Sequence, residues 1–126
     1  MKPACRINDK MTGGVYQRVI GYETIIEIID DIEYSYEEPI YCGPASITGT
    51  QVTGSNNVFI GGFGAARLGD GGTTTDPCAG SPFTNAQGSS SVIINGSHAV
   101  KVGDSVTVYL GYGSMSSGKN DVLIGG

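Results

Sequence analysis

Two short phrases alternate along this chain, three times each, and no other feature limits so strongly what it can fold into. The first phrase ends on Asp: "PACRIND" at Asp9, "GAARLGD" at Asp70 and "HAVKVGD" at Asp104. The second closes on Gly: "GSNNVFIGG" (54–62), "GSSSVIING" (88–96) and "GKNDVLIGG" (118–126). Regular alternation of this kind marks a fold assembled from like units, here 3–62, 64–96 and 98–126 of a single 1–126 domain. Units this short cannot each enclose a core. They are expected to share one, arranged about a pseudo-threefold axis that sets Arg6, Arg67 and Lys101 at equivalent places with Asp9, Asp70 and Asp104 beside them.

Within the first phrase, apolar residues flank the basic one, so each copy reads as a short half-buried strand of period two. On this reading Cys5, Ala66 and Val100 point to the core, and Arg6, Arg67 and Lys101 point away. The Gly or Asn before each Asp is turn chemistry. In the second phrase Val58/Ile60, Val92/Ile94 and Val122/Ile124 form one apolar face, expected to hold the taper of the body by packing. Phe59, Ile93 and Leu123 lie on the opposite face, so these strands read as buried on both sides or packed against a partner.

Composition narrows the class. Twenty-one glycines and no tryptophan suit an all-β, turn-rich chain. A net charge of −5 with scattered basic residues excludes a nucleic-acid binder, which needs a clustered basic face. There is no apolar run of membrane-spanning length and "MKPACRIND" lacks the apolar core of a signal peptide, so a cytoplasmic origin is expected. Three cysteines, an odd number, make no disulfide framework.

One segment breaks the pattern. Asp9 and Asp70 are 61 positions apart against 34 for Asp70 and Asp104, so about 27 residues are inserted, near 15–41. They hold five of the seven tyrosines and seven of the twelve acidic residues. Thr24 and Glu27 have capping-box spacing, and Ile25, Ile28, Ile29, Ile32 and Tyr36 share a helical face. Ile32, Tyr34 and Tyr36 also alternate as a strand does, so a short helix and a hairpin turning near Asp30-Asp31 both fit. Either would decorate the flank or offer a docking surface.

Cys42 and Cys78 occupy similar places in successive units, 16 residues before Val58 and 14 before Val92, and are the candidate thiolate ligands for zinc or iron. Asp76 and the only histidine, His98, are the further donors on offer, which falls short of a closed four-ligand site. No catalytic set is evident, since His98 lacks a nucleophile or an orienting carboxylate that the repeat does not already explain. "GGFGAARLGD" has Arg67 where a dinucleotide fingerprint needs its third Gly.

The phrases "PACR", "GAAR" and "HAVK", each followed three residues later by Asp and interleaved with G-x-x-x-V-x-I-x-G, resemble the PAAR-repeat family. That resemblance implies a small conical, pseudo-threefold β-repeat fold and a structural, non-enzymatic role. Such a protein caps the homotrimeric β-helical spike of a contractile injection machine, one copy per trimer, and sharpens it for membrane puncture. The machine would be a type VI secretion system, a contractile phage tail or a related extracellular particle. It further implies a monomer in isolation, cytoplasmic before assembly and then carried at the particle tip, touching membrane only during puncture. The family's tip metal is often held by His and Cys. This chain has Thr12 before Gly13-Gly14 where many members carry His, so no stoichiometric metal is expected. The third closing strand runs to Gly125-Gly126, so a carried toxin is not expected. The competing function is a free-standing β-repeat module that binds a ligand through its Tyr-rich acidic insertion.

Overall fold

The local unit is a locked turn. In each copy of the Asp phrase, the Asp N–H donates to the carbonyl of the basic residue three before it, at 3.0, 3.0 and 3.1 Å for Asp9, Asp70 and Asp104. The residue just before the Asp is left-handed: Asn8 has φ of 78°, Gly69 of 92° and Gly103 of 93°. Positive φ at this place of a four-residue turn is tolerated only by Gly or Asn without strain, which explains the residues found there. The carboxylate then accepts the backbone N–H of Arg6, Arg67 or Lys101, at 2.9 to 3.0 Å, and closes the turn.

The computed structural model describes every residue from Met1 to Gly126; the fold is all-β, with no helix and 59% of residues in strands or isolated β-bridges. Its centre is a ring of three backbone hydrogen bonds. Cys5 N–H donates to the Val100 carbonyl (2.9 Å), Val100 to Ala66 (3.1 Å) and Ala66 back to Cys5 (3.0 Å). A second set lies beside it, from Ile7 to Gly64, Leu68 to His98 and Val102 to Pro3. The pseudo-threefold axis inferred from the repeats is therefore written in the main chain itself.

This arrangement corrects the period-two reading of the Asp phrase. Beyond their first residues, where short strands end at Ala4, Gly64 and His98, the copies are not strands; they pair with one another through single bridges, Ala4 to Lys101, Arg6 to Ala65 and Arg67 to Ala99. Two consecutive residues of each are buried: Ala4, Ala65 and Ala99 in one set, Cys5, Ala66 and Val100 in the next. Three segments converging on one axis leave room only for small side chains at both positions, so burial does not alternate.

On one side of the ring lies a barrel made of three hairpins. They comprise β2 (Lys10–Val15) and β5 (Ala45–Gln51), β8 (Gly71–Thr74) and β9 (Phe83–Asn85), and β12 (Ser105–Val108) and β13 (Gly111–Met115). The six close in the order β12-β13-β2-β5-β8-β9. Met11, Val15, Ile47, Phe83, Val106, Val108 and Met115 fill the interior together with Cys5, Ala66 and Val100. The strand ends Gln51, Asn85 and Met115 each exchange backbone hydrogen bonds with a locked turn, through Asp9, Asp70 and Asp104. All three side chains are buried, and Gln51 Nε2 donates to Asn85 Oδ1 at 2.7 Å.

On the other side the second phrase supplies a strand to each of three two-stranded sheets: the hairpins β6 (Phe59–Ile60) with β7 (Phe63–Gly64) and β10 (Ile93–Ile94) with β11 (Ser97–His98), and the paired first and last strands, β1 (Lys2–Ala4) with β14 (Lys119–Ile124). Ile60, Ile94 and Ile124 pack over Ala4, Ala65 and Ala99 as a second core cluster. The three isoleucines carry this packing as expected, and Val92 joins them in part. Val58 and Val122 do not; they remain exposed, because these strands are too short to cover a second row.

The insertion is a hairpin, not a helix. β3 (Arg18–Ile29) pairs with β4 (Ile32–Cys42) from Arg18↔Cys42 to Ile29↔Ile32, with one irregularity between Val19 and Gly21. Asp30 and Asp31 turn it with φ of 51° and 62°, the paired left-handed residues of a turn whose twist suits a two-residue hairpin. Isoleucine and tyrosine stack better across a pleated ribbon than within a helix, whose preceding turn restricts branched side chains. The ribbon leaves the body between β2 and β5 and is exposed along nearly all its length.

Candidate functional site

Each basic residue of the repeat pairs with the Asp of its own turn. Arg67 Nε lies 2.9 Å from Asp70 Oδ2 and Lys101 Nζ 2.8 Å from Asp104 Oδ1, whereas Arg6 Nε is 3.6 Å from Asp9 Oδ2. Arg6 is drawn elsewhere: its guanidinium stacks over Phe63, 5.2 Å from the ring centroid, and reaches the Ile60 and Gly61 carbonyls at 3.4 Å. These pairs hold turns rather than bridge units. Asp70 also raises the Arg67 guanidinium above its ordinary pKa through their hydrogen bond.

The hairpin side of the ring presents a threefold apolar pattern. Phe59, Ile93 and Leu123 stand at equivalent places, each beside a buried isoleucine of the second cluster, and are 60%, 52% and 49% exposed. Alternation forces this, because the buried Ile60, Ile94 and Ile124 send their neighbours outward. Large apolar side chains repeated about an axis form an interaction surface with the symmetry of the repeat. They are not buried on both sides, which leaves a partner as the other expectation read from the phrase.

At the far end of the barrel, the three hairpin connections meet at the root of the arm. Cys42, the last residue of β4, is joined by a disulfide to Cys78 in the β8–β9 connection, with Cα atoms 5.8 Å apart. Arg18, the first residue of β3, donates from Nη2 to both carboxylate oxygens of Asp76 at 2.6 and 2.7 Å. Its guanidinium also lies over Tyr109 of the β12–β13 connection, 5.5 Å from the ring centroid. Every unit thus contributes to the anchorage. The pair is almost wholly enclosed, with side chains 7% and 0% exposed.

Hydrogen bonding from Arg18, helped by the Cys78 N–H and opposed by burial, lowers the Asp76 pKa to about 2 from 3.8. A carboxylate depressed in the folded state gives stability that is complete above its unfolded value and lost as pH falls through the folded one. The native chain is therefore expected to lose this contribution between about pH 4 and pH 2. Denaturant titrations across that range should show Asp76→Asn losing less stability than the native chain as the pH falls.

A family profile described as the PAAR motif matches residues 43–108, more than half of the chain. The chain belongs to the PAAR-motif family. No curated protein matches the chain. The PAAR match leaves out the first Asp phrase and the last Gly phrase, and the backbone ring supplies both by joining Cys5 to Ala66 and Val100 and by pairing β1 with β14. PAAR proteins are associated with the spike tips of contractile injection systems and form a structural family, not an enzymatic one.

The donor set of a PAAR tip metal is not assembled by this chain. Cys42 and Cys78 were the candidate ligands, and their sulfurs are bonded to each other, so neither is a thiolate. This also corrects the expectation that the cysteines form no disulfide: two pair and Cys5 stays free and buried. Burial, then the Asp9 and Asp104 charges, pushes the Cys5 thiol up to about 12, and its Sγ donates to the Ser117 carbonyl at 3.3 Å. His98 lies on β11, on the opposite side of the ring, with Nδ1 2.6 Å from the Ser89 carbonyl. Thr12 faces Thr48 and Ser114 across the barrel wall. Asp76, the remaining donor considered, is committed to Arg18. The ion pair escaped sequence reading, although Arg18 is the sole cation in the acidic segment, which was the available signal.

Proposed function

We propose that this chain is a spike-tip protein, one copy of which seats on the end of a homotrimeric β-helical spike of a contractile injection machine and sharpens it for membrane puncture. The observation that carries the reading is the exposed triad Phe59, Ile93 and Leu123, related by the pseudo-threefold axis. A homotrimer offers three identical strand ends, and a single chain can contact all three alike only if it repeats its own surface three times. Seating there would cover apolar side chains on one partner and unpaired strand edges on the other. The role is structural, and no catalytic step is assigned. The protein is a monomer before assembly in the cytoplasm and is carried at the particle tip afterwards, meeting membrane only in passing.

Mass measurement of the complex reconstituted with its spike protein is expected to give one copy per three spike chains. Leu123→Asp, which leaves the core isoleucines in place, should weaken that complex. Three copies on one spike, or an unchanged complex with Leu123→Asp, would refute the assignment. Stiffness of the tip is ascribed to packing and to the arm-root bridge rather than to a metal. Elemental analysis of the purified protein should accordingly find no stoichiometric zinc or iron. About one tightly held metal per chain, lost on Cys42→Ser, would restore the family's metal to this chain.

A further inference from the structure

An isolated two-stranded ribbon is marginally stable in water, yet this chain holds one out from its barrel with a disulfide and an enclosed ion pair at the root. Side chains of directly paired residues share a face. On one face of the β3–β4 arm the successive pairs are Gly21/Ile40, Glu23/Glu38, Ile25/Tyr36, Glu27/Tyr34 and Ile29/Ile32. Glu23 and Glu38 are directly opposite each other, an arrangement that costs stability in the free ribbon. The other face has no such pair, since Glu37 opposes Thr24 and Glu33 opposes Ile28.

Nothing in the chain neutralises that pair. Between Arg18 and Arg67 there is no lysine or arginine, and Arg18 is committed to Asp76. The arm holds seven acidic residues against one basic, Arg18, and the rest of the chain has five acidic against six basic. Like-facing pairs lie about 7 Å apart along a ribbon, the spacing of alternate residues in an extended segment. We propose that this face of the arm docks a basic, extended segment of a partner protein, one face of which reads basic, apolar, basic at every second residue. The basic residues would meet the Glu23/Glu38 pair and Glu27, and the apolar residue between them would cover Ile25 and Tyr36. The same charge opposes arm-to-arm pairing of two copies and opposes an anionic lipid surface. This inference stands on the arm alone and does not depend on what the hairpin face binds.

The chain has no tryptophan, and Tyr22, Tyr34, Tyr36 and Tyr41 lie on the arm, so tyrosine emission reports on it directly. The probe is a synthetic peptide of repeating Lys-Thr-Val-Thr, with a Glu-Thr-Val-Thr peptide and phosphatidylserine vesicles as comparisons. With the full chain, disulfide intact, the lysine peptide is expected to give a saturable change that weakens with salt. Glu23→Gln together with Glu38→Gln should lower its affinity about tenfold, as expected for two partly exposed ion pairs lost together. The unfolding midpoint of that variant, which should not fall, shows that the arm is intact. No binding of the lysine peptide, equal binding by the double variant, equal binding of the glutamate peptide, preferential binding of vesicles, or self-association through the arm would each overturn the proposal.

Discussion

Removing the Cys42–Cys78 bridge, by reduction or by Cys78→Ser, should lower the unfolding free energy by about 4 kcal/mol, the chain-entropy value for a loop of this size. The bridge spans 36 residues and encloses β5, β6, β7 and β8, so the unfolded chain is constrained across a full repeat. Denaturant midpoints with and without reductant measure the effect. Hydrogen exchange should show where it falls: amides of the arm root lose protection first, while the ring amides of Cys5, Ala66 and Val100 open only with global unfolding. An unchanged midpoint on reduction would mean that the Arg18–Asp76 pair alone holds the root.

The second large effect lies on the axis. Ala99 is fully buried against its equivalents Ala4 and Ala65, with the isoleucine cluster above it. Ala99→Leu should destabilise the protein by about 3 kcal/mol or more, because a converging layer has no direction in which to relax. For a chain of this length that corresponds to a fall in Tm of about 10 °C, which calorimetry would resolve. Phe59→Ser, on the exposed side of a neighbouring hairpin, should change Tm little and serves as the contrast. Equal effects of the two substitutions would show that the layer is loosely packed.

These positions also mark how far the sequence could be read. The threefold arrangement was legible because each unit carries the same turn, with Asn8, Gly69 and Gly103 imposing the same left-handed step before Asp. The burial of Ala4 beside Cys5 was not legible as a strand pattern. Period two assumes a segment lying along a surface, whereas these segments meet end-on at an axis. In the insertion, Ile25, Ile28, Ile29 and Ile32 satisfy helix spacing while Ile32, Tyr34 and Tyr36 alternate as a strand does, and the Asp30–Asp31 turn decides between them. The bridge was hidden for a different reason. An odd cysteine count said nothing of proximity, and Cys42 meets Cys78 because two hairpin connections open at the same end of a barrel that has first to close. The exposed Phe59, Ile93 and Leu123 were visible as apolar from the start, but their outward orientation depended on which neighbours the axis buried.

The ring at the centre behaves mechanically as a hoop. Each segment donates one hydrogen bond to one neighbour and accepts one from the other, so a thrust along the axis is divided among three equivalent spokes. The hoop is continuous in covalent chain except at one seam, where β1 and β14 are held to each other by pairing alone. A pull that separates Lys2 from Ile124 loads that pairing one residue pair at a time, from Lys2↔Ile124 inward. A body wound in this way has its one non-covalent closure where its two end strands meet.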